Sequence, residues 1–284
     1  VIPTAFDYVR PATVEEAVAA LVAAGDDSKV LGGGQSLLPV LRLRLNSPTV
    51  VVDVSTIDEM RHITDEGASL LIGAAVTTHE VLTSAVVKEH VPLLSQAAAG
   101  VADPAIRHRG TFGGSLAHAD PAGDLPTVSR ALDAEMVIAG PGGRRTVPAA
   151  DFFLDFFTTA IGLDEVLVAV RVPKLGAGWG FDYQKFHRTA QAWAIVGVAA
   201  AVRRENGAIA EARVALTNMG ATPIRASSVE AALVGAVTSE AIAAAAATAA
   251  DGTSPTTDTH ADGAFRQHLA RVLTGRAVAN AAGR

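Results

Sequence analysis

The order of elements in the sequence predicts an α+β protein of two domains. Strands and helices mix up to about residue 174, and three strands followed by three helices fill the rest. Between the two regimes, residues 174–180 carry three glycines and mark the linker. A chain of 284 residues fits this division, since roughly 150 residues is a usual domain size.

The elements follow from local chemistry. Thr13-Val14-Glu15-Glu16 is a capping box in which Glu16 reaches back to the N-cap. Val14, Ala17, Val18, Leu21 and Val22 then recur at helical spacing until Gly25 stops them. Lys29-Val30-Leu31 is a short strand running into Gly32-Gly33-Gly34, and residues 40–45 alternate apolar residues with arginine. β-branched content makes residues 50–54 a buried strand, and residues 69–76 form another. Thr77-Thr78-His79-Glu80 is a second capping box, opening a helix to about residue 87. Small residues make 92–102 helical until Asp103-Pro104 breaks the run. Residues 125–132 form a helix with Asp124 near its N-cap and Pro126 in its first turn. Residues 135–139 and 144–147 form a hairpin, and residues 165–172 a strand ended by Pro173. Past the linker, residues 181–186, 194–203 and 209–216 are strands, the last two joined at Glu205-Asn206-Gly207. Residues 228–234, 239–250 and 265–280 are helices, with a polar loop at 253–259. Phe265, Leu269, Val272 and Leu273 share one face of the last helix, which suits packing on its own sheet.

Composition excludes several classes. The net charge is −6, and the arginines come as scattered pairs (Arg42/Arg44, Arg107/Arg109, Arg144/Arg145, Arg203/Arg204) without interleaved aromatics, which argues against nucleic acid as a partner. No apolar run reaches the roughly 18 residues of a membrane span, so no transmembrane segment is expected. The first residues show no basic segment followed by an apolar one, and the expected location is the cytoplasm. There is no cysteine, which removes disulfides, thiolate zinc sites and the usual ligands of iron–sulfur clusters. Redox chemistry here therefore needs an organic cofactor, and any iron–sulfur centre sits on another chain. Charged residues make up 18% of the chain, below the soluble average of about 25%. Either partner chains cover some surface, or abundant alanine raises the apolar count without making sticky surface.

The chemistry concentrates in residues 107–126, RHRGTFGGSLAHADPAGDLP, and in the upstream run Val30-Leu31-Gly32-Gly33-Gly34-Gln35-Ser36. Glycine reaches φ > 0 and lets successive N–H groups converge on an anion, and a pyrophosphate is the ligand that most needs this. The upstream run follows a strand but matches neither G-x-G-x-x-G nor a P-loop, and a tight strand-to-loop turn explains it equally well. The downstream run adds Thr111, Ser115 and the amides of Gly113 and Gly114, with Arg107 and Arg109 just before them. Together they predict one phosphate-bearing cofactor. Asp120 and Asp124 would repel phosphate and suit ribose hydroxyls or amines; Asp124 reads equally as a helix N-cap. The eight histidines include no His-Glu-x-x-His, so no metal site is expected, and His108, His118 and His187 read as surface or hydrogen-bonding residues. Ser36 and Ser115 lie on no G-x-S-x-G elbow, which argues against a hydrolase.

Three segments carry a family resemblance. Residues 32–39 (GGGQSLLP), 109–117 (RGTFGGSLA) and 119–126 (ADPAGDLP) resemble the FAD-binding subunit of the molybdenum hydroxylases, the carbon monoxide and xanthine dehydrogenase family. Lys185-Phe186-His187-Arg188 and residues 194–200 match its next landmark, so the resemblance covers nearly the whole chain. It implies two α+β subdomains sandwiching FAD, a fold of the p-cresol methylhydroxylase type. These are expected over about 1–57 and 58–176, with a C-terminal domain over 177–284 holding a three-stranded antiparallel sheet and three helices. It also implies flavin contacts at Val30, Leu31, Gly32, Gly33, Gly34, Gln35, Ser36 and Leu37, and at Thr111, Gly113, Gly114, Ser115 and Asp124. Leu167, Lys185 and Val101 match three further contact positions. The chain departs from the family at Ser115 and His108, where relatives often have Asn. Gln35 stands where carbon monoxide oxidisers have His, which leans away from carbon monoxide as substrate.

The implied role is an electron relay with no catalytic residue of its own. A large partner would carry the molybdenum cofactor and a small partner the [2Fe-2S] clusters, in a dimer of heterotrimers. Electrons would reach FAD on this chain and leave to an external acceptor, with Lys185 stabilising the reduced flavin. The competing readings are a stand-alone FAD-dependent oxidase or dehydrogenase and an assembly subunit without flavin. The first is disfavoured because no catalytic base stands near the motifs, the second because the glycines are intact.

Overall fold

The computed structural model describes residues 2–283. The first part of the chain builds two main sheets around one apolar core, beside the two-stranded ribbon Phe153–Asp155 and Thr158–Thr159. Asp7–Val9, Val50–Asp53 and Ser28–Leu31 form a small parallel sheet with Val50–Asp53 in the middle. Ile63–Asp65, Ser69–Gly73, Val166–Pro173, Glu135–Gly140 and Gly143–Pro148 pair antiparallel in that order. Helix Val14–Ala24 buries Val14, Ala17, Val18 and Leu21 in the core that both sheets share. Thr13 caps it as expected, but Glu16 reaches one residue further back, to the Ala12 N–H.

The second part is a four-stranded antiparallel sheet, in the order Trp179–Phe186, Val196–Glu205, Ala208–Thr217 and Ile224–Arg225. The last strand has two residues and adds to the three expected. Strand Val196–Glu205 is buried on both faces, which is why it reads as a continuous apolar run. Ala199, Ala201 and Ala215 face the core of the first domain, whereas Val198, Ala200, Val202, Val214 and Leu216 face the C-terminal helices. Helices Ser227–Leu233, Ser239–Ala246 and Gly263–Ala281 build that second core. Gly180 lets the last helix approach, since a Cβ there would lie 1.9 Å from the Ala281 carbonyl oxygen. Asn206 and Gly207 both have positive φ (50° and 85°), the geometry of a tight hairpin turn matched to strand twist.

Tertiary context moves several boundaries. Residues 40–45 are not extended: Leu37–Arg42 is helical. Ser84 splits the helix opened by Thr77 into Thr78–Thr83 and Ala85–His90, because its hydroxyl accepts the Val87 N–H and starts a new turn. Asp103-Pro104 begins the one-turn helix Pro104–Arg107 rather than only breaking the one before. On the last helix the buried face runs through Arg266, Leu269, Ala270, Leu273 and Ala277. Phe265 is exposed, packing edge-on against Phe186, and Val272 is only partly buried. No helix among the described residues is long and apolar enough to cross a membrane.

The hairpin strand Gly143–Pro148 is tied to the start of strand Val166–Pro173 by a bidentate pair, Arg145 to Glu165 at 2.7 and 2.6 Å. Arg145 holds the Glu165 carboxyl below its ordinary value, burial opposes it, and the Gly162 N–H assists. A depressed folded-state value stabilises the fold above the unfolded value of 4.5, and that contribution is lost as pH falls through the folded value. Glu165→Gln is expected to cost about 1 kcal/mol near neutral pH, and progressively less as pH falls below 4.5 and through the lowered folded-state value. Urea midpoints of both proteins across an acid pH series check this.

Candidate cofactor-binding site

The two glycine loops meet. The first leaves the carboxyl end of strand Ser28–Leu31, turns at Gly34 (φ 75°) and enters helix Leu37–Arg42. The second is fixed by the strand Ser69–Gly73 and its exit. The Thr78 N–H donates to the Gly110 carbonyl at 2.8 Å, the Phe112 N–H to Val76 at 2.8 Å and the Gly113 N–H to Ala74 at 3.0 Å. A Cβ on Gly33 would lie 2.0 Å from the Arg109 carbonyl oxygen, and one on Gly32 3.1 Å from Thr111 Oγ1. Gln35 lies against Gly110 and donates to the Gly33 carbonyl at 3.3 Å. Only glycine lets the loops touch in this way.

The loops differ in what they offer a ligand. Among the described residues, the N–H groups of Gly33, Gly34, Gln35 and Ser36 make no hydrogen bond, and Ser36 does not cap its helix with its side chain. These successive unpaired donors fit a pyrophosphate. The second loop has committed its amides from Phe112 to Ser115. Gly113 N–H is spent on Ala74, Gly114 N–H on Thr111 Oγ1 at 3.0 Å and Ser115 N–H on the Thr111 carbonyl at 3.0 Å. The expected free amides at Gly113 and Gly114 are therefore absent. Gly113 is glycine because a Cβ would strike Ala74 at 2.3 Å, a packing reason. Ser115 keeps its hydroxyl and is only partly buried.

Asp124, Lys185 and Val101 form a second cluster, at the domain boundary. Asp124 is the first residue of helix Asp124–Ala131; Gly123 is the N-cap, and the Asp124 side chain caps nothing. Its two oxygens instead accept from Tyr183 Oη at 2.6 Å and Lys185 Nζ at 2.8 Å. Lys185 also donates to the Gly100 carbonyl at 2.9 Å. The Asp124 and Lys185 side chains are 3% and 7% exposed, so this ion pair is out of water. Burial pushes the Asp124 carboxyl up, opposed by Lys185 and by the Tyr183 hydroxyl. Burial and the Asp124 charge push Tyr183 well above its ordinary value, which keeps it a donor. Arg107 holds the Val101 and Ala102 carbonyls at 2.8 and 3.0 Å, and Ala102 has φ 42°. Arg107 thus links the second loop to this cluster.

The remaining residues are placed more plainly. Val30 is 37% exposed at the end of its strand, with Leu31 beside it and Leu37 opening the next helix. Leu167 is buried in the core of the five-stranded sheet, at a bulge in its pairing. His108 stacks on His79 at 3.8 Å, and His118 packs against Phe157 with burial lowering its pKa. Asp120 closes its own turn by accepting the Ala122 N–H. No group of three or more potential metal ligands occurs among the described residues. Tyr183 was missed by motif reading, although period-two alternation puts it on the same strand face as Lys185.

A loop of unpaired amides laid against a glycine-tight second loop, in an α+β body with an appended antiparallel domain, defines a protein that holds a phosphate-bearing cofactor. Residues 4–175 match the family model of the FAD binding domain in molybdopterin dehydrogenase. Residues 181–281 match that of the CO dehydrogenase flavoprotein C-terminal domain. The carbon monoxide dehydrogenase medium chain of Hydrogenophaga pseudoflava is 40% identical, over 98% of this chain and 97% of its own. The 6-hydroxypseudooxynicotine dehydrogenase complex subunit alpha of Paenarthrobacter nicotinovorans is 37% identical, over 98% and 95%. A solved structure of carbon monoxide dehydrogenase from Hydrogenophaga pseudoflava, lacking the Mo-pyranopterin moiety of its cofactor, superposes with a TM-score of 0.96 at 42% identity. It covers 100% of this chain and 99% of its own. The chain belongs to the molybdenum hydroxylase family, as its FAD-binding, electron-transferring medium subunit.

Breaking a buried ion pair from one side leaves the other charge uncompensated, which costs about 3–5 kcal/mol. Asp124→Ala is expected to lose that much stability, and Asp124→Ala with Lys185→Met to recover at least half of it. A double-mutant cycle by urea denaturation measures this; additive losses would refute the pairing.

Proposed function

We propose that FAD lies across the two loops, with its pyrophosphate on the N–H groups of residues 33–36. The single observation that carries this is that run of unpaired donors, held against Arg109 and Gly110 by a contact that only glycine permits. Val30, Leu31, Gly32 and Leu37 flank the cradle; Thr111, Gly113, Gly114 and Ser115 form its opposite wall. Val101, Asp124, Leu167 and Lys185 complete the contact set that the family resemblance implies. The domain division we adopt is 1–176, with subdomains of about 1–57 and 58–176, and 177–284. The two family matches and the separate sheets support it.

Bound FAD supplies one chemical capacity: it takes up electrons singly and gives them up in pairs. The chain's residues bind and orient it. Lys185 is the one buried cation of the second cluster, and it is already held by Asp124 and Gly100, so it acts as a fixed charge rather than a mobile donor. The partners are a large subunit carrying the molybdenum cofactor and a small subunit carrying [2Fe-2S] clusters, in a dimer of heterotrimers. Electrons enter from the small subunit and leave to an external acceptor. The complete lack of cysteine in this chain supports that division of labour.

Purifying the native protein with whatever accompanies it, and assaying flavin, iron and molybdenum, tests the reading. One FAD per chain, with iron and molybdenum only in the complex, is the expected result; turnover by this chain alone would sink it. Gly33→Ala is expected to push the loops apart and weaken FAD binding at least about tenfold, with the circular dichroism spectrum unchanged. Flavin titration of the variant measures this.

A further inference from the structure

The Asp124–Lys185 pair is governed from the C-terminal domain by a residue that no motif contains. Tyr183 lies two residues from Lys185 on strand Trp179–Phe186, and its hydroxyl donates to Asp124 Oδ1 at 2.6 Å. The same hydroxyl lies 3.3 Å from Thr217 Oγ1, which donates to Thr127 Oγ1 at 2.8 Å. Room for this arrangement is built into the neighbouring strand. Gly197 pairs in register with both Lys185 and Thr217, and a Cβ there would come within 2.7 Å of the Tyr183 hydroxyl and 2.8 Å of Thr217 Oγ1. The strand keeps a glycine where the phenol needs space.

The geometry carries consequences in two directions. Toward the first domain, Asp124 holds Lys185, and Lys185 holds the Gly100 carbonyl at the start of the 100–102 turn, whose other side Arg107 holds. Toward charge, a hydrogen bond draws electron density off the oxygen that accepts it. The Tyr183 hydroxyl therefore sets how negative Asp124 is, and so how much of the Lys185 charge remains unscreened. We propose that Tyr183 is a positioning residue of the flavin site, acting through Asp124 to hold Lys185 and the 100–102 turn and to raise the reduction potential of bound FAD. This rests on the reading that Val101, Asp124 and Lys185 contact the flavin.

Tyr183→Phe in the full chain tests it, with Asp133→Asn as the control. Asp133 has φ 52°, which Asn tolerates, and it pairs with Arg225 and Arg213 of the C-terminal domain at 2.7 and 3.1 Å. The control loosens the domain contact without touching Asp124. Tyr183→Phe is expected to weaken FAD binding about tenfold, to lower the flavin reduction potential, and to speed hydrogen exchange at residues 100–102. Asp133→Asn is expected to lose stability while keeping wild-type affinity and potential. An unchanged potential in Tyr183→Phe overturns the proposal, as does weaker flavin binding in both variants in proportion to their lost stability. A second measurement stands if Tyr183→Phe does not fold. The chain has two tyrosines, so in a Tyr8→Phe background 3-fluorotyrosine labels Tyr183 alone and makes it a stronger donor. The potential is then expected to rise, and an unchanged or lower value overturns the proposal. Should the wild-type chain take up no FAD, the flavin reading itself fails. Hydrogen exchange at 100–102 then judges the linkage from Tyr183 separately: unchanged exchange in Tyr183→Phe overturns it.

Discussion

Two opposite charges meet out of water where the domains join, and the architecture arranges itself around them. Asp124 comes from the first turn of a helix in one domain and Lys185 from an edge strand of the other. A lone buried charge is costly, so neither side chain tolerates the loss of its partner. Tyr183 and the Gly100 carbonyl add one further hydrogen bond to each side of the pair, which ties it into a network that spans both domains. The network fixes the relative placement of helix Asp124–Ala131, the 100–102 turn and strand Trp179–Phe186. Such a pair is a poor source of stability compared with apolar packing, which points to a role in placement.

The apolar packing lies beside it. The sheet of the second domain is covered on one face by its own three helices and on the other by helices Pro92–Ala99 and Asp124–Ala131 of the first. Alanines at 199, 201 and 215 form the face turned to the first domain, and their short side chains let those helices come close. This accounts for part of the alanine that raised the apolar count in the sequence: it makes an interdomain seam. The ion pair sits at the margin of that seam, where close approach excludes water. Seam and pair therefore support each other, since the seam provides the low dielectric and the pair provides the register.

Local rules were legible wherever one short contact decides a conformation. The capping box at Thr77 and Glu80 closes as read, and Asn206-Gly207 takes the two positive φ values its composition foretells. Legibility failed where a distant partner competes. Asp124 reads as an N-cap by position, yet a cation and a phenol from some 60 residues away take both its oxygens. Phe265 and Val272 look like the core face of the last helix by hydrophobicity, but Arg266 is the buried residue, bonded to the Ile195 carbonyl and Asp258. Hydrophobic periodicity cannot anticipate an inward arginine whose partners are a backbone carbonyl and a loop carboxylate. The two-residue strand Ile224–Arg225 carried no pattern long enough to read.

The two glycine loops show why one motif can have two physical meanings. In residues 32–36 glycine frees the backbone, leaving donors unpaired and letting the loop lie on Arg109 and Gly110. In residues 111–115 glycine serves packing: Gly113 yields to Ala74 and Gly114 to the Thr111 hydroxyl, and the amides of residues 112–115 are already committed. The second loop is thus a rigid wall, locked to residues 74–78 just past strand Ser69–Gly73, against which the first loop is braced. A flexible donor loop alone would lose conformational entropy on binding an anion. Bracing it against a hydrogen-bonded wall removes much of that loss before the ligand arrives. The glycine at 33 is the point where this bracing happens, because any side chain there would separate donor from wall.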